Sequence, residues 1–251
     1  MKKFKKLIPA LCMLLVSAVL VGTSTYAWFS MNDNVTVTGL QVTAQTDQPY
    51  LIIGTGDNNS VEKLQALPKK ETPEGKTVDL GVSANDAKVK PVAHETLNNA
   101  EAAKVAGNWY WYNAEKTSAP DAAQGATKNP LPDMTGYVIT KTVYMTIVKE
   151  TPALSDIEAT VKITAAGTKN IDAAKVVLAV YSGATDKGVK EFDKTNTAST
   201  ALGTGEVTSD TLIKVDIYIY IDGTNAAIFT DNAANLDTAN IEITFKAIVK
   251  H

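Results

Sequence analysis

Three segments of this chain alternate apolar and polar residues over nine or more positions, a pattern that few folds accommodate. In Leu212–Asp222, Ile213, Val215, Ile217, Ile219 and Ile221 fall on one side of an extended backbone, and Lys214, Asp216, Tyr218 and Tyr220 on the other. Ile157–Ala165 repeats the pattern, with Ile157, Ala159, Val161, Ile163 and Ala165 inward and Glu158, Thr160, Lys162 and Thr164 outward. Ile241, Ile243, Phe245, Ala247 and Val249 form a third apolar row. A period of two is the pleat of a β-strand with one face buried and one wet, as antiparallel sheets require.

Further strands are expected at Val35–Ala44, Tyr50–Ile53, Thr77–Val82, Asn108–Asn113, Gly136–Lys149 and Lys175–Tyr181, about nine in all. In the first of them the apolar phase slips at Gly39, which predicts a β-bulge. Helical signals are brief: Asn59 with Glu62, and Asn98 with Glu101, are N-cap arrangements opening one or two turns each. Gly54–Lys76 and the Pro-, Ala- and Gly-rich stretch Lys116–Thr135 have no period and predict long exposed loops. The expectation is an all-β fold: a two-sheet antiparallel sandwich, jelly-roll or Ig-like, with long loops and one or two short helices.

The N-terminus predicts export. Lys2, Lys3, Lys5 and Lys6 precede an apolar run from Leu7 to Gly22, and Thr25 and Ala27 supply small residues at a cleavage site before Trp28. The run is about 16 residues, near the short limit for a membrane-spanning helix. Residues 1–27 are therefore expected to leave as a signal peptide, and 28–251 to form a single sandwich domain, secreted and free of the membrane. Cys12, the sole cysteine, leaves with the signal, so the core or self-association must do the work of disulfides. Loss of the four lysines changes 24 Lys against 27 Asp and Glu to 20 against 27, a net charge near −7. All the cations are lysine. An acidic chain without arginine's bidentate fork is a poor nucleic-acid binder.

Material for catalysis is scarce. His94-Glu95 lacks the second histidine of HExxH, no GxSxG is present, and a mature cysteine nucleophile is ruled out. His94 is expected in a loop, and no cofactor or metal is expected. Asp57-Asn58-Asn59 with Glu62, and Asp231-Asn232 with Asn235 and Asp237, carry oxygen ligands but not EF-hand spacing, and fit Asx-rich turns. LPDMTG (Leu131–Gly136) is one residue longer than a sortase signal and is expected to be a turn. Lys141 shares a face with Ile139 and Val143, which suggests either an isopeptide partner or an exposed strand end. In Trp109-Tyr110-Trp111-Tyr112 the tryptophans share one strand face. Solvent-facing, Trp109 and Trp111 would form a platform for sugar rings, as on matrix or cell-wall polysaccharide; otherwise one aromatic pair is core.

The junction TSTYAWFSMN (Thr23–Asn32) resembles the export signal of the TasA/camelysin family of Gram-positive bacteria, a small-aromatic-Ala-x-Phe run processed by an ER-type signal peptidase. NVTVTGLQVTAQ and IYIYIDG…IEITFKAIV are similar to that family's first and closing strands. The resemblance implies an extracellular jelly-roll subunit of biofilm-matrix or surface fibres, with copies of itself as partners. Some members of the family carry a protease label, and the shortage of histidines here leads to the expectation of no enzymatic activity. Strand donation by residues 28–44, through Val35, Val37, Leu40 and Val42, would join the copies once the signal peptidase has acted.

Overall fold

Alternating strands can bury their apolar rows only against a second sheet, and two five-stranded sheets do so here. The computed structural model describes residues 41–46, 51–67, 77–81, 89–112, 128–165, 172–225 and 239–249, all within one compact unit, Gly39–His251. The expected cleavage site at Thr25, Ala27 and Trp28, the Gly39 bulge, and Val35, Val37 and Leu40 lie outside the described residues, as does the 231–237 cluster.

The first sheet contains β1 (Gln41–Thr46), β3 (Thr77–Asp79), β8 (Leu154–Ala165), β11 (Thr200–Ala201) and β13 (Ala239–Val249), in the order β11–β8–β13–β1–β3. The second contains β2 (Leu51–Thr55), β7 (Ile139–Ile147), β9 (Ala174–Ser182), β10 (Thr185–Asp193) and β12 (Ile213–Ile221), in the order β10–β9–β12–β7–β2. Between them Phe245, Ile157 and Val42 of the first sheet meet Met145, Leu178 and Ile217 of the second, all fully buried. On the outer face of the first sheet, Lys162 stands opposite Glu242 and Glu158 opposite Lys246, favourable cross-strand pairs. One pairing departs from the antiparallel expectation: β1 lies parallel to β13, from Gln41 opposite Asn240 to Thr46 opposite Phe245.

The second sheet overturns the expectation of a wet outer face. Tyr218 and Tyr220, on the supposedly solvated side of β12, are 2% and 1% exposed. On β9, Val176, Leu178 and Val180 face the first sheet, while Val177, Ala179 and Tyr181 join a second apolar cluster. A cap built from residues 89–112 and 128–138 covers this face. It holds a three-stranded sheet of β4 (Ala93–His94), β5 (Trp109–Tyr112) and β6 (Lys128–Pro130), and a five-residue helix. Part of the supposed 116–135 loop is thus structured, with Leu131 only 3% exposed; residues 113–127 are outside the description. The strand β10 (TDKGVKEFD) was not expected, because it has no apolar face.

Both short helices start one residue later than predicted. α1 (Val61–Gln65) is capped by Ser60, and α2 (Ala100–Lys104) by Asn99, whose side chain accepts from Ala102 N at 2.7 Å. LPDMTG does turn: Asp133 accepts from Thr135 N at 2.7 Å, and Gly136 takes the positive φ of 75° that glycine tolerates. The α1 segment packs over Gly54 so closely that a Cβ there would lie 2.7 Å from Asn58 Cβ and 2.8 Å from Leu64 Cδ2. Gly54→Ala is therefore expected to cost about 1–3 kcal/mol by overpacking. Urea unfolding would measure this, and Gly107→Ala, with open space around it, is the control.

Candidate functional site

The junction of cap and second sheet holds a connected network of partly buried polar side chains, and Trp109 is its centre. The indole is fully buried, its Nε1 donates to Ala103 O at 3.0 Å, and its ring meets Tyr220 edge-on at 5.1 Å and His94 at 5.0 Å. Trp111 packs half-buried against the same cluster. The sugar platform is therefore corrected: Trp109 has no face to offer a ring, and the tryptophans are the apolar side of β5.

His94 is likewise corrected from a loop residue to a β4 strand residue with a side chain 13% exposed. Its Nδ1 lies 2.7 Å from the carbonyl oxygen of Glu95. Its Nε2 lies 3.1 Å from Glu191 Oε2 on β10 and 3.0 Å from the Tyr220 hydroxyl on β12. Glu191 Oε1 accepts from Lys175 of β9 at 2.7 Å, and Lys175 also reaches Asp222 Oδ2 at 3.0 Å. Asp222 in turn accepts from the amide and hydroxyl of Thr224.

Burial works against a charged His94, but the bonds to Glu191 and the Glu95 carbonyl outweigh it and raise the pKa above its ordinary 6.5. The same hydrogen bond from His94, reinforced by Lys175 and opposed by burial, holds Glu191 down to about 2. Burial also opposes the charge on Lys175, and Glu191 and Asp222 overcome it and raise that pKa. Desolvation raises Tyr220, so its phenol stays neutral. Beside this network a cleft of about 380 Å³ opens between cap and sheet, with His94, Glu95 and Glu191 at its rim and Leu97, Val177 and Val189 among its lining.

The cap is tied down elsewhere by polar contacts. Val92 N donates to Ile221 O at 2.9 Å, and Gly223 N to Val92 O at 2.8 Å. Asp186 on β10 accepts from Ala100 N, Glu101 N and Gly188 N at 3.0, 3.1 and 2.7 Å. Burial alone would raise the pKa of Asp186, and those amides lower it instead.

The other expected positions lie apart from this junction. Val42 is fully buried in its own sheet, so in this fold it is not a free donor residue. Lys141 donates to Gly81 O at 3.3 Å, as a strand-end residue does. Asn58 bonds Thr55 O, and Asn59 accepts from Lys63. Among the described residues no three His, Cys, Asp or Glu converge on a metal position. Also among them, the ring nitrogens of His94 contact Glu95, Glu191 and Tyr220 rather than a serine or threonine hydroxyl. The arrangement is an ion pair, which lacks the nucleophile–base contact that acyl chemistry uses. Compared with known proteins, the chain matches no family model and no curated sequence.

Trp109→Ala removes the largest fully buried side chain of the cap and is expected to cost about 3–5 kcal/mol, against distinctly less for half-buried Trp111→Ala. Chemical denaturation of the two variants beside the parent would measure the difference.

Proposed function

We propose that this protein is a secreted structural subunit of extracellular fibres, of a biofilm matrix or of a surface layer, joined to copies of itself by strand donation. The observation that supports this reading is the edge of β8. The strand is 12 residues long, yet among the described residues its pairing on the side away from β13 is limited to Glu158 and Ala159 with β11 and a bridge from Leu154 to Val207. Ile157 turns its backbone to that side, where its carbonyl accepts from Leu202 N and its amide donates to Thr204 Oγ1. Asp156 pins the adjoining turn by accepting from Gly203 N and Thr204 N. By strand alternation Val161 and Ile163 turn their amides and carbonyls the same way, and no described strand meets them there. Their side chains remain in the core, at 2% and 7% exposure.

Such a row of backbone groups is a template for an added strand. The donor in this reading is the stretch ahead of β1, carrying Val35, Val37 and Leu40, with Val42 rooted in its own sheet. Signal peptidase frees it by cutting between Ala27 and Trp28. A head-to-tail contact of this kind does not close on itself and so extends into a filament. Assembly also adds stability to a domain without disulfides. No catalysis or cofactor enters this reading, and burial of Trp109 removes the platform on which glycan binding was to rest.

Deleting residues 28–38 from the mature chain leaves the compact unit Gly39–His251 intact. The expected outcome is an unchanged β-type circular dichroism spectrum and no filaments by negative-stain electron microscopy under conditions where the mature chain forms them. Filaments of undiminished length from the truncated chain would eliminate strand donation.

A further inference from the structure

The hydrogen-bond geometry of His94 goes beyond this reading and is independent of it. The carbonyl oxygen of Glu95 can only accept, so the ring nitrogen 2.7 Å away carries a proton. The other ring nitrogen faces the Glu191 carboxylate at 3.1 Å, which also only accepts. Both nitrogens are donors at once only in the imidazolium. The Tyr220 hydroxyl stands 3.0 Å from the second nitrogen and can donate to it once that nitrogen loses its proton.

We infer that His94 is a proton-operated latch that fastens the cap to β10 across the cleft while protonated and releases that edge when it becomes neutral. In the fastened state the protonated His94 Nε2 is paired with the Glu191 carboxylate and lies within hydrogen-bond reach of the Tyr220 hydroxyl. On deprotonation the proton on Nδ1 stays with the Glu95 carbonyl, the Nε2 lone pair turns on the carboxylate, and the Tyr220 hydroxyl swings to donate to Nε2. Glu191 then keeps Lys175, its neighbour on the same sheet, and the cap loses its ionic contact with β10. What remains is the apolar packing around Trp109, a neutral hydrogen bond to β12, the Val92 bridge and the Asp186 bonds to α2.

Among the described residues, the charged and titratable groups around His94 are few. Glu191 faces it from β10, Lys175 from β9, and Tyr220 from β12, with Asp222 just beyond and paired to Lys175. Glu95 is its own neighbour and is bound by Lys128 of β6 at 3.3 Å. The sign follows from the direction of each shift. A histidine raised in the docked state stabilises docking fully below its ordinary 6.5, and that contribution is lost as pH rises through the raised value. Glu191, depressed to about 2, is lost from the pair only in strong acid. The latch is therefore closed below pH 6.5 and opens as the pH rises through the raised value. Opening frees the edge at His94–Leu97 that lines the cleft over Val177 and Val189.

Hydrogen exchange of the mature chain at pH 5.5 and 8.5, corrected for intrinsic rates, tests this on the monomer together with nitrogen-15 imidazole spectra. The only other imidazole is His251, so His94→Gln assigns both signals. The expected spectrum shows both His94 nitrogens protonated at pH 6.5, with a midpoint above that of His251. The amides of residues 92–97 should exchange faster at pH 8.5, by about tenfold for each pH unit separating the docked and open midpoints of His94. Those of β8 and β13 should not change. Glu191→Gln should lower the His94 midpoint and flatten the pH dependence of residues 92–97, and His94→Gln should make their exchange fast at both pH values. The inference is overturned by a His94 midpoint at or below that of His251, or by pH-dependent exchange of residues 92–97 that survives in His94→Gln.

Discussion

Burial of the second sheet on both faces is the constraint from which the rest of the molecule follows. β9 and β12 are covered by the first sheet on one side and by the cap on the other, so nearly every residue of both is inaccessible. A strand in that position cannot carry charge cheaply on either face. The polar atoms that do sit there are mostly paired: Asp216 accepts from Thr142 and Lys214, and the Trp109 indole donates to a backbone carbonyl. The buried Tyr181 hydroxyl on β9, however, has no hydrogen-bond partner among the described residues. β9 accordingly reads AKVVLAVYS, apolar on consecutive residues, while β8 from Ile157 onward and β13 as far as Ala247, covered on one face, alternate.

The cap is too small to stand on its own apolar surface, and its attachment divides into two kinds of contact. Trp109, Leu97 and Leu131 supply burial, which is non-directional and fixes only that the cap lies down. Its register comes from directional contacts: the Val92 backbone bridge, the Asp186 carboxylate receiving the first amides of α2, and the ion pairs from His94 through Glu191 to Lys175 and Asp222. The first sheet is arranged differently. Its outer face carries Glu, Lys and Thr in opposed pairs, and its backbone edge beyond Ala159 is where the assembly reading places a neighbour.

Much of the sandwich was legible. Rows such as Ile157 to Ile163 and Ile241 to Ala247 correctly placed their apolar side, because a single buried face leaves a period of two in the residues themselves. Val249, expected in the same row, is 38% exposed at the strand end. The cap was not legible, and the reason lies in tyrosine. Tyr218 and Tyr220 read as the polar phase of β12, yet a phenol buries its ring and needs only one partner for its hydroxyl. The available signals were the WYWY run and the unbroken apolarity of Val176–Tyr181, which no one-sided strand requires. His94 carried no local signal, since PVAHET has neither period nor motif. β10 was missed for a similar reason: at an edge, under a polar rim, Thr185–Asp193 needs no apolar row.

Sequence alone determined the fold class, the inward rows of the long strands, the turn at Gly136 and the absence of a cysteine from the domain, because these depend on neighbours a few positions away. Tertiary structure decided that β1 lies parallel to β13 and that Trp109 is core. It also brought an imidazole at position 94 to a carboxylate at 191 and a phenol at 220. Those pairings join residues far apart along the chain, and their strength comes from exclusion of water, which exists only once the layers have closed.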